Sequence, residues 1–367
     1  MSESHSRVET PELTRSGIRD NVLVLPSVIC SHAVAEEIAD AVEGCVATPH
    51  DHGCAQIGRD NDRTERTLIA MGAHPNVAGC VVVGLGCEHV QSDDVASALE
   101  DLDVPVRELS IQGVGGTDTC VERGSEYAAE LRATSSTQVA ATTPELGDLT
   151  VGIVSTDLSE PTLETADPLV GEFADRVLEA GGRVVVTGTE RVAAHPEEAS
   201  TRILESAHAD LEELLDRDGS GPARAPRVRH GAGEHTFEEV TRAWGEASVD
   251  ELLAYGDTAG DDSQLAFVDA SSRFEEAATG LVAAGCHLVV HVTGDGIPTG
   301  HPIAPVVKVS ATSSTLEAVG PDIDVDAREA TVEDLLEYVR SVAGGAPCRA
   351  EEHGVTSFAI ERAGPSL

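Results

Sequence analysis

Two imidazoles and a thiol lie within one short loop, TPHDHGCAQIG (48–58), at His50, His52 and Cys54. Such donors suit Zn²⁺, Fe²⁺ or Mn²⁺, with distant residues completing the shell; the plain alternative is a polar turn. A second loop, GLGCEHV (84–90), sets Cys87, Glu88 and His89 behind two glycines. It offers a thiol, a carboxylate and an imidazole where backbone can approach a ligand closely. In a third loop, IQGVGGTDTC (111–120), Gly115, Gly116 and Thr117 precede a helix. Their amides could cradle a carboxylate or phosphate, or the glycines could serve packing alone. The loop lacks a P-loop lysine, which argues against nucleotide binding.

The fourth segment, HVTGDGIPTGHPIAPVVKVSAT (291–312), groups Asp295, Thr299, His301 and Lys308 around one strand and the loop leading into it. Lys308 is the only lysine in the chain. An ammonium can hold a substrate carboxylate, or act as a base when burial lowers its pKa. The valines around Lys308 predict an interior position.

Around these loops, apolar runs alternate with helical patterns. Strands are expected at 21–28, 79–86 and 104–111, with helices at 32–43, 62–72, 92–102 and 117–133. Ser92 reads as an N-cap, with acids in the first turn behind it. After the polar stretch 134–148 the rhythm restarts: strands at 149–156, 182–188, 264–270, 287–294 and 305–311, helices at 168–181 and 331–343, and one long helix over 196–217. Residues 218–233 read as a Gly/Pro/Arg loop. Strands alternating with helices of this size imply parallel βαβ units. The expected fold is therefore α/β: two layered lobes of mainly parallel sheet flanked by helices, the site between them. The expected domains are a flexible lead-in (1–16), a first α/β domain (17–135) and a second (149–367).

Composition narrows the function classes. The 367 residues include 65 Asp and Glu against 24 Lys and Arg, a formal charge of −41. Such a surface repels phosphate, which excludes nucleic acid as a partner. The acids are scattered through the chain, as expected for solubility in concentrated salt, where self-repulsion is screened. No apolar run reaches the ~18–20 residues of a membrane span, and the start has no hydrophobic core of a signal peptide. Eight cysteines without any CxxC pair fit free thiols in a reducing cytoplasm.

Four stretches in order, GIRDNVLVLPSVICS, TPHDHGCAQIGRDNDRTERTLIAMGAHPNVAGCVVVGLGCE, IQGVGGTDTCVERG and PIAPVVKVSA, resemble the large catalytic region of altronate/galactarate dehydratases. That family includes the large subunit of sulfolactate sulfo-lyase. The resemblance implies a metal-assisted lyase that removes water from a sugar acid to give a 2-keto-3-deoxy acid. It further implies a divalent metal, Fe²⁺ in the first place and Mn²⁺ as the alternative. On this resemblance His50, His52, Cys54 and Cys87 form the metal side, with Glu88 beside them. Gly115, Gly116 and Thr117 bind substrate, Lys308 orients its carboxylate, and His301 transfers protons.

Two departures from the family pattern stand out. The small N-terminal domain of full-length members is missing from the start of this chain, which implies a separate small subunit as partner; self-association is a further expectation. A family loop with a central cysteine should fall near 154–159, where this sequence reads VSTDLS with Ser155 in its place, and the Arg/Gly stretch 221–235 replaces another. Elimination of sulfite from sulfolactate, and a non-catalytic metal- or sugar-acid-binding role, are the alternatives.

Overall fold

The computed structural model describes residues 16–53, 56, 58–135, 144–218 and 226–363; Cys54 lies outside them. The first lobe is built on a sheet of four parallel strands, β1 (Asn21–Pro26), β2 (Cys45–Ala47), β3 (Val77–Gly84) and β4 (Val106–Ser110), in the order β2-β1-β3-β4. Parallel strands covered on both faces read as continuous apolar runs, as NVLVLP and GCVVVG do here. Side chains alternate between faces. Val22, Val24, Val81 and Val83 pack with Val34, Ile38 and Leu131 of the helices His32–Ala41 and Thr117–Ser135. A Cβ on Gly124 would sit 2.3 Å from Ile38 Cδ1, so only glycine permits these two helices to approach so closely.

The second lobe holds seven parallel strands in the order β11-β10-β9-β5-β6-β8-β7. They are β5 (Thr150–Ser155), β6 (Arg183–Val186), β7 (Glu251–Leu253), β8 (Leu265–Val268), β9 (Leu288–Val292), β10 (Val306–Ser310) and β11 (Val325–Asp326). Val151, Ile153, Val184, Val290 and Val307 face an outer layer that includes the helices Asp167–Glu179 and Val332–Ala343.

The opposite face of each sheet contributes to one shared core. Leu23, Leu25, Val82 and Leu68 of the first lobe join Val154, Val289, Val306, Phe274 and Leu281 of the second. The helices Arg59–Gly72, Ser92–Asp101 and Phe274–Ala283 form this middle layer. Buried polar bonds pin the seam. His74 Nε2–H donates to the Cys286 carbonyl (3.1 Å), and the Asn76 amide donates to that of His287 (2.8 Å).

Three local expectations are corrected. Gln91, not Ser92, is the N-cap; the Ser92 hydroxyl instead donates to Glu108 at 2.6 Å. The helix expected over 196–217 is two helices, Pro196–Arg202 and His208–Asp218. The chain is broken where Ile203 bridges to Val249 and the Leu204 amide bonds its carbonyl. The loop expected at 218–233 contains the helix Pro226–Ala232. No helix among the described residues is long and apolar enough to cross a membrane.

Candidate functional site between the lobes

Ligands of parallel α/β sheets bind beyond the carboxyl ends of the strands. At that end of the first sheet, β2 runs into His50 and His52, which are 3% and 2% exposed. His50 Nε2–H donates to the Pro26 carbonyl (2.9 Å), and its Nδ1 accepts from the His52 amide (3.2 Å). His52 Nε2–H donates to the Ile360 carbonyl (3.0 Å), while its Nδ1 accepts from Thr64 Oγ1 (3.0 Å) and from the Gln56 side chain. Burial, then the neighbouring His52, lowers His50 to about 4; burial also lowers His52. Both imidazoles are thus neutral near pH 7.

Of the expected metal side, Cys54 lies outside the described residues and both imidazoles are engaged by the protein. All four ring nitrogens are taken by protein partners, and no group of three His, Cys, Asp or Glu among the described residues could hold an ion. Cys87 is exposed, and its sulfur accepts from the Gln112 side chain.

Glu88 folds back into its own loop. Its Oε1 accepts from Ser27 Oγ (2.8 Å) and Leu85 N (3.0 Å), and its Oε2 from Gly86 N (2.7 Å) and Cys87 N (2.8 Å). Burial pushes the carboxyl up, but these bonds outweigh it and hold it below its ordinary value. A carboxylate with both oxygens so engaged organises the loop. Gly84 makes room for it: a Cβ there would meet Ser92 Oγ at 2.3 Å and Glu88 Oε1 at 2.5 Å. Gly115 and Gly116 have φ of 93° and 138°, and a Cβ on either would meet open space; Gly115 and Thr117 are exposed.

Lys308 occupies the middle of β10 and has no solvent exposure. Val307 and Val309 face the outer layer, so alternation turns Lys308, like Val306, toward the shared middle layer. Its register partner on β9 is His291, which stacks on Phe274 with ring centroids 4.2 Å apart. Its Nζ has no hydrogen-bond partner. Burial lowers the ammonium, opposed by the Asp324 carboxylate. His301 lies ahead of β10, its Nδ1 accepting from Ile303 N (3.2 Å) and its ring 5.7 Å from Phe358. Burial lowers it to about 3. It sits near His74, which feels its charge, at the starting ends of the strands rather than at their carboxyl ends.

The structure therefore brings His50, His52, Cys87 and Glu88 to one edge of the first lobe, the first and last held by the adjacent residues Pro26 and Ser27. Lys308 belongs to the second sheet. Facing the histidine loop are residues that sequence reasoning missed. The C-terminal segment crosses back over the first lobe, where the Ile360 carbonyl meets His52 and the Glu361 carbonyl accepts from Arg63 (3.2 Å). Arg63 is also 3.7 Å from the Glu361 carboxylate, and its guanidinium lies 5.0 Å over the Tyr255 ring.

From the second lobe, Glu190 and Arg191 follow β6 directly. Glu190 accepts from Ser272 N (3.0 and 3.2 Å) and Ser272 Oγ (3.1 Å). Arg191, fully buried, donates to the carbonyls of Val240 (2.7 Å) and Ser155 (2.6 Å). Ser155, at the expected cysteine position, thus supplies a backbone anchor. The signal that could have exposed this pair is a charged dipeptide one residue after a buried RVVVTG run. Glu361 has no such signal.

Two parallel sheets sharing one middle layer, with polar groups gathered where their carboxyl ends meet, define a two-lobed α/β protein. Residues 12–136 match the family model for D-galactarate dehydratase/altronate hydrolase, second domain, and residues 240–366 that for D-galactarate/altronate dehydratase, C-terminal. The (2R)-sulfolactate sulfo-lyase subunit beta of Chromohalobacter salexigens is 30% identical over 95% of both chains. The altronate dehydratases of Bacillus subtilis and Escherichia coli are each 26% identical, over 96% of this chain and 76% of theirs. The chain belongs to the D-galactarate/altronate dehydratase family, and these relatives are lyases.

Proposed function

We propose that this protein is a lyase that eliminates water from a sugar acid of the altronate/galactarate class, giving a 2-keto-3-deoxy acid. A base removes the hydrogen α to the carboxylate, the β-hydroxyl leaves as water, and the resulting enol tautomerises to the keto acid. The observation that carries this reading is Lys308, an ammonium nitrogen without a partner, turned toward the layer between the lobes of a lyase-family fold. A substrate carboxylate or developing enediolate would supply the missing hydrogen-bond acceptor. We keep the exposed turn at Gly115, Gly116 and Thr117 as a place for an anionic group, although the amides of both glycines already bond the Ile111 carbonyl. A divalent metal, Fe²⁺ or Mn²⁺, stays part of this proposal, with no step routed through it.

Loss of sulfite from sulfolactate is the second reading. It is favoured by the sulfo-lyase relative, which this chain matches over 95% of its length, against 76% for the altronate dehydratases. That relative is named as a subunit, and we extend the arrangement to this chain, proposing a separate small subunit as partner. The test is an anaerobic assay in molar salt, with and without added Fe²⁺ or Mn²⁺ and with and without a candidate small chain. Keto-acid formation from a panel of aldonic and aldaric acids supports dehydration, and sulfite release supports the second reading. Binding of a panel acid without turnover would leave only a non-catalytic role.

A further inference from the structure

We propose that Glu190 is the carboxyl that moves the proton in this site, with Glu361 as the charge that sets it apart; this rests on the lyase reading above. Glu190 stands directly beyond the carboxyl end of β6, an interior strand of the second sheet, where ligands of parallel sheets bind. It is 3% exposed, yet its hydrogen-bond donors are all neutral: the amide and hydroxyl of Ser272 and its own backbone amide. The adjacent Arg191 commits its guanidinium to the Val240 and Ser155 carbonyls instead of forming an ion pair with it.

The neighbouring carboxylate, Glu361, is paired with Arg63 across the lobes at 3.7 Å. One carboxyl beside a guanidinium and one in neutral surroundings differ in proton affinity, which is how an acid–base site is made from like groups. Burial, opposed by its own backbone amide, Ser272 and Arg191 and reinforced by the Glu361 charge, raises Glu190 to about 7. The groups facing it are thus Glu361 and, behind that, Arg63 from the first lobe, with Arg191 from its own helix.

Other buried carboxyls serve elsewhere. Both oxygens of Glu88 are engaged within its loop. Asp167 is also raised to about 7 by burial, opposed first by the Arg191 guanidinium beside it, but the charges it feels, Arg191, Asp157 and Arg242, all belong to the second lobe, and neither Glu361 nor Arg63 is among them.

In the proposed step the C2–H bond of the hydroxy acid breaks and its proton passes to a Glu190 oxygen. The electron pair moves into the C2–carboxylate system, then forms C2=C3 as the C3–O bond breaks. The departing hydroxyl takes the proton back from Glu190 and leaves as water, so the carboxylate is restored.

The test uses the full chain in molar salt and the variants Glu190→Gln, Glu190→Asp and Glu361→Gln, with folding checked by thermal unfolding. Infrared difference spectra of wild type against Glu190→Gln should show a protonated-carboxyl band titrating near pH 7. That midpoint should fall in Glu361→Gln, which removes the neighbouring charge. On whichever acid the wild type converts, Glu190→Gln should lower kcat by about 10²- to 10⁴-fold with little change in KM. Glu190→Asp should retain part of the rate with a shifted pH profile. An active wild type with an equally active Glu190→Gln, or no titrating band, overturns the role of Glu190 alone. A wild type that converts none of the acids overturns the lyase reading, and this role with it.

Discussion

His52 and Ile360, 308 residues apart in the chain, are joined by one hydrogen bond from imidazole Nε2–H to the backbone carbonyl at 3.0 Å. This bond sets the tautomer of His52, because its Nδ1 must then accept from Thr64. It also closes the C-terminal segment over the first lobe, where Arg362 pairs with Asp51 at 2.9 Å and Glu361 with Arg63.

Removal of residues 358–367 should therefore free His52 as well as loosen the lobes. Long-range ¹H–¹⁵N spectra of the intact chain should show a slowly exchanging Nε2–H for this imidazole. In the truncated chain that signal should broaden or move. A protonated Nδ1 in the intact chain would contradict the geometry.

Lys308→Met should raise stability at neutral pH while abolishing turnover. The folded ammonium is held below its ordinary 10.5, so charging it costs stability as pH falls from 10.5 through the folded value. Methionine keeps much of the side chain's length and removes the buried charge, and that cost with it. Urea titrations at pH 7 and pH 10 should show the larger gain at the lower pH. Unchanged turnover in this variant would refute the role assigned to the ammonium.

The buried histidines should make the fold sensitive to acid. His50 is lowered to about 4, and His74 and His301 to about 3, all chiefly by burial. Their folded values lie below the ordinary 6.5, so the unfolded chain binds protons first and stability is lost as pH falls from 6.5 toward these values. Each histidine contributes on the order of 3 kcal/mol to that loss. The urea midpoint of His301→Gln, relative to wild type, should therefore rise between pH 6.5 and 4. A constant difference between the two proteins across that range would count against a neutral buried His301.

Gly84→Ala should displace Glu88, since the new methyl would lie 2.5 Å from its Oε1. The expected cost is about 1–3 kcal/mol, with faster alkylation of the exposed Cys87 as its loop loosens. An alkylation rate equal to wild type would show that the loop holds without this carboxylate.

The charge of −41 predicts that the unfolding temperature climbs as KCl is raised into the molar range, where repulsion between surface acids is screened. A fall over the same range would contradict a salt-adapted surface.

The longer buried strands were legible in the sequence because a parallel strand covered on both faces carries an unbroken apolar run, as NVLVLP and LVVHV do. The edge strands β2 and β7 were not, because three residues, half-buried for the most part, leave no pattern to read. The break at Ile203 is likewise a tertiary effect: the residue pairs with Val249 instead of continuing the helix. In the site, residue type alone singled out His50, His52, Glu88 and Lys308. Type and spacing could not say what their polar atoms touch. Only the fold spends the Glu88 carboxylate on its own loop, occupies the imidazole nitrogens and leaves the Lys308 ammonium without a partner. Glu190, Glu361 and Arg63 are scattered along the chain and become neighbours only when the lobes close on one core, since proton affinity is set by burial and by charges that sequence separation does not report.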